Sequence, residues 1–132
     1  MKNHHGSCHC GAIAFELTAH LTQETLRCNC SYCLKVRSWA VMTAPDALHL
    51  LAGASTLTEY QFGNQHERHY FCGRCGVRIY SRGHSPTRGA FVAVSVTCLD
   101  TAGAPELEAL PITYVDGRND NWSAPPAHTG HL

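Results

Sequence analysis

The chain of 132 residues is one ordinary domain's worth of protein, because domains most often run about 100–150 residues and a second core would lack material. Ten Lys and Arg against ten Asp and Glu give zero formal charge, which excludes the broad basic footprint of a phosphate-backbone binder or of a protein drawn to an acidic membrane surface. Leu, Ile, Val and Phe supply only 26 residues, a modest core, so the eight cysteines and ten histidines are the natural source of extra cross-links through bound metal.

The first seven residues hold no apolar run that could serve as a leader core, and no later stretch reaches the roughly 18 apolar residues of a membrane span. The expectation is a soluble, cytoplasmic protein with no membrane or nucleic-acid partner. Residues 11–17 alternate Ile13, Phe15 and Leu17 with smaller or polar neighbours, the pattern of a half-buried strand. Residues 31–38 fit one or two helical turns capped by Ser31. Strands are expected over 39–43, 47–51, 57–62, 68–71, 77–81, 90–97 and 110–115. Between them Pro45-Asp46, Gly53-Ala54-Ser55, Gly63-Asn64, Gly83-His84-Ser85-Pro86 and residues 100–105 supply turns. Trp39 opens a strand and is read as core. Trp122, in the polar stretch 117–122, fits a lid or a subunit contact. Residues 123–132 are small and proline-rich, a loosely ordered tail. A single domain over 1–132 with its core in about 6–115 is expected, all-β, a sandwich or folded antiparallel sheets around metal knuckles with few helical turns.

Seven cysteines fall into three groups: Cys8-His9-Cys10, Cys28-Asn29-Cys30-Ser31-Tyr32-Cys33 and Cys72-Gly73-Arg74-Cys75-Gly76. In a reducing compartment such clusters are metal ligands or catalytic thiols rather than disulfides. The third group, a Cys-x-x-Cys followed by Gly between two short strand patterns, is a knuckle that presents two thiolates to one ion. Tetrahedral structural zinc needs two more ligands, and Cys8 and Cys10 are the natural pair. Cys28, Cys30 and Cys33 then form a second site with an open fourth position, the mark of a catalytic zinc. Cys98, His9, His66 or His69 could instead close that site, or the pairs could be shared differently. Otherwise Cys98 is a small buried hydrophobe, and His4, His5, His128 and His131 are surface residues.

The order Gly6-Ser7-Cys8-His9-Cys10-Gly11, Cys28-Asn29-Cys30-Ser31-Tyr32-Cys33 and Phe71-Cys72-Gly73-Arg74-Cys75-Gly76, with Val96-Thr97-Cys98-Leu99-Asp100 after it, resembles the glutathione-dependent formaldehyde-activating enzyme family, which includes centromere protein V. The resemblance spans residues 6–100. It implies a β-rich Mss4-like fold, a structural zinc on Cys8, Cys10, Cys72 and Cys75, and a catalytic zinc on Cys28, Cys30 and Cys33, two zincs per chain. It further implies a carbon–sulfur lyase whose co-substrate is glutathione and whose product is S-hydroxymethylglutathione. The chain departs from the family at Asn29, where His is frequent, and at Leu34, where a basic residue is frequent. Lys35 and Arg37 follow closely and are candidates for the glutathione carboxylates, as are Arg74 and Arg78. Tyr32, Ser31 and His69 are candidate proton donors by motif position. The alternative from another class is a non-catalytic zinc-stabilised interaction module, which would close or empty the second site. The oligomeric state is left open, a homodimer among its alternatives.

Overall fold

Along β2 (Ala14–Ala19) the side chains of Phe15, Leu17 and Ala19 point inward and are buried, while Ala14, Glu16 and Thr18 face out, as a period of two requires. The computed structural model describes residues 1–63 and 67–132, so Asn64 and His66 lie outside the described residues. β2 is the centre of a three-stranded antiparallel sheet, flanked by β1 (Lys2–Ser7) and β5 (Leu48–Ala52). β1 escapes the apolar pattern because its inward positions are His4 and Gly6. A Cβ at Gly6 would fall onto the Phe15 ring, so the missing side chain is what lets the two strands close.

The second sheet has seven strands in the order β10 (Ile112–Val115), β3 (Thr25–Cys28), β4 (Ala40–Thr43), β9 (Gly89–Ser95), β8 (Arg78–Ser85), β7 (Arg68–Cys72) and β6 (Leu57–Tyr60). Among the described residues the two α-helices, α1 (Ser31–Val36) and α2 (Ala104–Glu108), are short. The protein is thus mainly β, with two sheets and few helical turns. One pair corrects the antiparallel expectation: β10 runs parallel to β3, because the chain returns through α2 to the same end of the sheet.

Phe15 and Leu17 of β2, with Ile13 just before it, meet Ile79, Val92 and Val94 of the large sheet and Val96 just after β9, all 0–1% exposed. Each such side chain contributes roughly 1.5–3 kcal/mol by burial. Among the described residues no helix is long and apolar enough to cross a membrane. On the opposite face of the large sheet His69 and Ser81 stand across from one another on β7 and β8, both buried, with Tyr32 of α1 stacked on Tyr60 and His69.

Candidate metal centre

Two hairpin turns, one from each sheet, build the first cysteine group. At the end of β7, Cys72 accepts the backbone N–H of both Arg74 and Cys75 on its sulfur, at 3.4 Å each. Gly76 supplies the left-handed residue, φ 79°, that turns the chain into β8. Between β1 and β2, Cys8 likewise accepts the Ile13 N–H on its sulfur, at 3.3 Å. Amide donors aimed at sulfur favour the thiolate. The sulfurs of Cys8, Cys10, Cys72 and Cys75 all lie within 4.8 Å of one another, and the Cys8–Cys10 and Cys10–Cys72 separations are both 3.7 Å. With Zn–S bonds near 2.3 Å, the edge of a tetrahedral site is about 3.8 Å, so this donor set fits zinc.

The second group is built locally. Cys28 ends β3, Cys30 caps α1 and Cys33 sits in its first turn. The cap is Cys30 rather than Ser31: its sulfur accepts the Cys33 N–H at 3.3 Å, and Ser31 is the first helical residue. Cys28 in turn accepts the Cys30 N–H at 3.4 Å. All three sulfurs lie within 4.8 Å of one another. Hydrogen bonds from Cys28 and then Cys33 hold Cys30 far below the ordinary thiol range, while sharing a proton with Cys30 pushes Cys28 up to about 11 and the crowding of both neighbours pushes Cys33 up as well. Sulfurs this close cannot all ionise without a cation between them, and soft thiolates suit zinc.

Among the described residues no fourth donor joins this group. His9 is exposed in the first turn. Cys98 is buried on the Arg78 carbonyl oxygen, to which its sulfur donates at 3.6 Å, and burial pushes its thiol up to about 11. His69 is buried in an aromatic stack, its ring 4.0 Å from that of Tyr32 and 5.6 Å from that of Phe62. His66 falls outside the described residues.

Loop 116–122 closes one side of the three-sulfur site. A Cβ at Gly117 would stand 2.5 Å from Cys28 Sγ, so only glycine admits this approach. Asn29 anchors the loop: its buried side chain donates to Asp116 Oδ1 at 2.9 Å and accepts the Arg118 N–H at 3.0 Å. Bonds from Asn119 and then Asn29 hold the Asp116 carboxyl below its usual range. Beside Cys28 and Cys33, a narrow crevice runs between Leu34, Arg37, Ser38 and the last residues His131 and Leu132, and Arg37 donates to the His131 carbonyl oxygen at 3.2 Å. Lys35 is exposed in the last turn of α1. Sequence reasoning missed the part played by Asn29, Asp116 and Gly117. The polar, glycine-led stretch after β10 was the available signal.

The family model for the glutathione-dependent formaldehyde-activating enzyme matches residues 3–115, taking in both cysteine groups. The chain belongs to this family. A curated relative from Halomonas elongata, named "Putative glutathione-dependent formaldehyde-activating enzyme", is 34% identical over 84 residues, which cover 57% of this chain and 53% of the relative. The chain therefore spans about half the length of that relative. The crystal structure of a Rhodobacter sphaeroides protein is similar with a TM-score of 0.71 at 30% identity, covering 83% of this chain and 99% of the other. The match to this family ends just before Asp116, so the loop that presses Gly117 on Cys28 lies beyond the matched residues.

Proposed function

We propose that this chain is a zinc-dependent carbon–sulfur lyase of the S-(hydroxymethyl)glutathione synthase type, joining the thiol of glutathione to formaldehyde, with two zincs per chain. One observation carries the reading: two sulfur groups of unequal size, four donors at Cys8, Cys10, Cys72 and Cys75 and three at Cys28, Cys30 and Cys33. Four thiolates complete a tetrahedral zinc and make it structural, whereas three leave room for a substrate atom. Zinc at the three-cysteine site supplies deprotonation of an incoming thiol at neutral pH.

The reaction forms one C–S bond. The sulfur adds to the carbonyl carbon, the C=O π pair moves to oxygen, and the proton lost by the thiol ends on that oxygen. Tyr32 and His69 stand together beside the site, and His69 Nδ1 is buried without a hydrogen-bond partner while Nε2 faces Glu67, so these two are placed to hold or pass that proton. The Arg78 and Cys30 charges both act on His69. Burial first, then Arg78, lowers its pKa to about 4, which keeps the ring neutral at pH 7 and a donor through one nitrogen only. Loop 116–122 and residues 131–132 flank Cys28 and Cys33 and restrict water there.

The test is zinc per chain in protein purified without added metal or chelator, beside the variant with Cys28→Ser, Cys30→Ser and Cys33→Ser. Two zincs falling to one is expected, together with wild-type acceleration of adduct formation from ¹³C-formaldehyde and glutathione that the variant lacks. One zinc in both proteins, or equal rates, overturns the reading.

A further inference from the structure

Four cations near the cysteine groups were candidates for a substrate carboxylate, and the fold gives them very different settings. Arg74 lies in the knuckle of the four-cysteine group, Lys35 is exposed, and Arg37 is bonded to the His131 carbonyl oxygen. Arg78 is half-buried on the face of the large sheet that carries His69 and Ser81, beneath Tyr32. Its guanidinium lies 5.8 Å from the centre of the Tyr32 ring and reaches only neutral hydroxyls, donating to Ser38 Oγ at 3.3 Å and Ser95 Oγ at 3.5 Å. Ser38 in turn donates its backbone N–H to the Cys33 carbonyl oxygen at 3.0 Å, which places the cation one residue's reach from the three-sulfur loop.

Among the described residues no carboxylate comes within 4.0 Å of Arg78, although Glu67 is close enough to feel its charge. Glu67 points instead to His69, with 3.4 Å between Oε2 and Nε2. Beside the guanidinium, Arg78 Nε and His69 Nδ1 are buried without partners. A half-desolvated arginine held on hydroxyls, with no carboxylate within 4.0 Å and a spare N–H, suits a carboxylate ligand, since the planar fork binds carboxylates bidentately and gains most where water is thin.

The geometry points to Arg78 as the specificity residue of the three-cysteine site, the receptor for a carboxylate of a peptide-like thiol whose sulfur lies at Cys28, Cys30 and Cys33. This rests on the function proposed above and deepens it: the co-substrate class is an acidic thiol, not any small thiol.

Equilibrium binding to the full zinc-loaded chain tests it, with glutathione and glutathione diethyl ester as probes, the ester having both carboxylates masked. Wild-type protein is expected to bind the diacid at least tenfold tighter than the ester. Arg78→Gln should bind the two alike while keeping the zinc content and unfolding midpoint of wild type. Arg82→Gln, the same charge change further along β8, should keep the preference. Should Arg78→Gln not fold, Arg78→Lys serves, with the preference cut at least threefold because the fork is lost. A preference that survives in Arg78→Gln or Arg78→Lys, or one absent from wild type, overturns the assignment to Arg78 but leaves glutathione as co-substrate. Wild-type protein that binds neither probe overturns the glutathione reading itself, and Arg78 with it.

Discussion

The four-cysteine and three-cysteine groups are made from the same ligand and have opposite construction. The first joins hairpin turns from two sheets, so its sulfurs converge only when the sheets have packed. The second is written in six consecutive residues, a strand end, a cap and the first turn of a helix, and is then overlaid by loop 116–122. The contrast teaches that a long-range site is tied to the stability of the fold, whereas a local one can be opened and refilled without unfolding it.

The sharpest way to break this comparison is to remove one sulfur from each group. Cys72→Ser should lower the unfolding midpoint by about 15 °C or more, as loss of a long-range cross-link worth about 4 kcal/mol implies for a chain of this size. Cys30→Ser should leave the midpoint within about 3 °C while adduct formation falls by on the order of 100-fold. Equal losses of stability would erase the distinction between the groups.

Next in size is a pH effect confined to the sheet face beside the second group. His69 is neutral in the folded protein, with its pKa lowered to about 4, against about 6.5 unfolded. The unfolded chain therefore binds the extra proton between those values, so this contribution to stability is complete above pH 6.5 and declines as pH falls toward 4, by up to about 3 kcal/mol. Urea unfolding at pH 7.5 and 4.5 should show a smaller drop in His69→Phe than in wild type.

Gly117→Ala sharpens the comparison at the loop, because its Cβ would meet Cys28 Sγ. A cost of about 1–3 kcal/mol is expected. In a metallochromic competition, zinc affinity should weaken only at the three-cysteine site. The smallest effect belongs to Asn29→Ala, which strips Asp116 and the Arg118 N–H of a buried partner, at about 1–2 kcal/mol by denaturant unfolding. It should also speed zinc exchange at Cys28, Cys30 and Cys33 and leave the other group unchanged.

What the sequence made legible follows the same division. Cysteine spacing announces both groups because a Cys-x-x-Cys-Gly turn and a strand-end loop are local shapes, readable within six residues. The alternation at Ile13, Phe15 and Leu17 is equally local, and the structure buries all three. β1 stayed hidden because a histidine and a glycine occupy its inward positions, so no apolar period marks it. The Asn29–Asp116 bond joins residues 87 apart and exists only because β10 lies parallel to β3. No pattern in one chain announces such a pairing. Arg78 was one of four candidate cations with nothing in the sequence to single it out, and only the strand register sets it among hydroxyls.

The 3.7 Å approach of Cys10 to Cys72 spans 62 positions of chain. An ion held there ties off a loop of that length, and the conformational freedom it removes from the unfolded ensemble is worth about 4 kcal/mol on the loop-closure relation. With a metal bound, a chain with so few large apolar residues would gain, from one knot of four sulfurs, about what two fully buried leucines contribute. The order of assembly follows. Both hairpins can form early because their contacts are local, but the two turns find each other only after the intervening strands have docked, so a metal held by these four sulfurs would be captured late and would lock the finished sandwich.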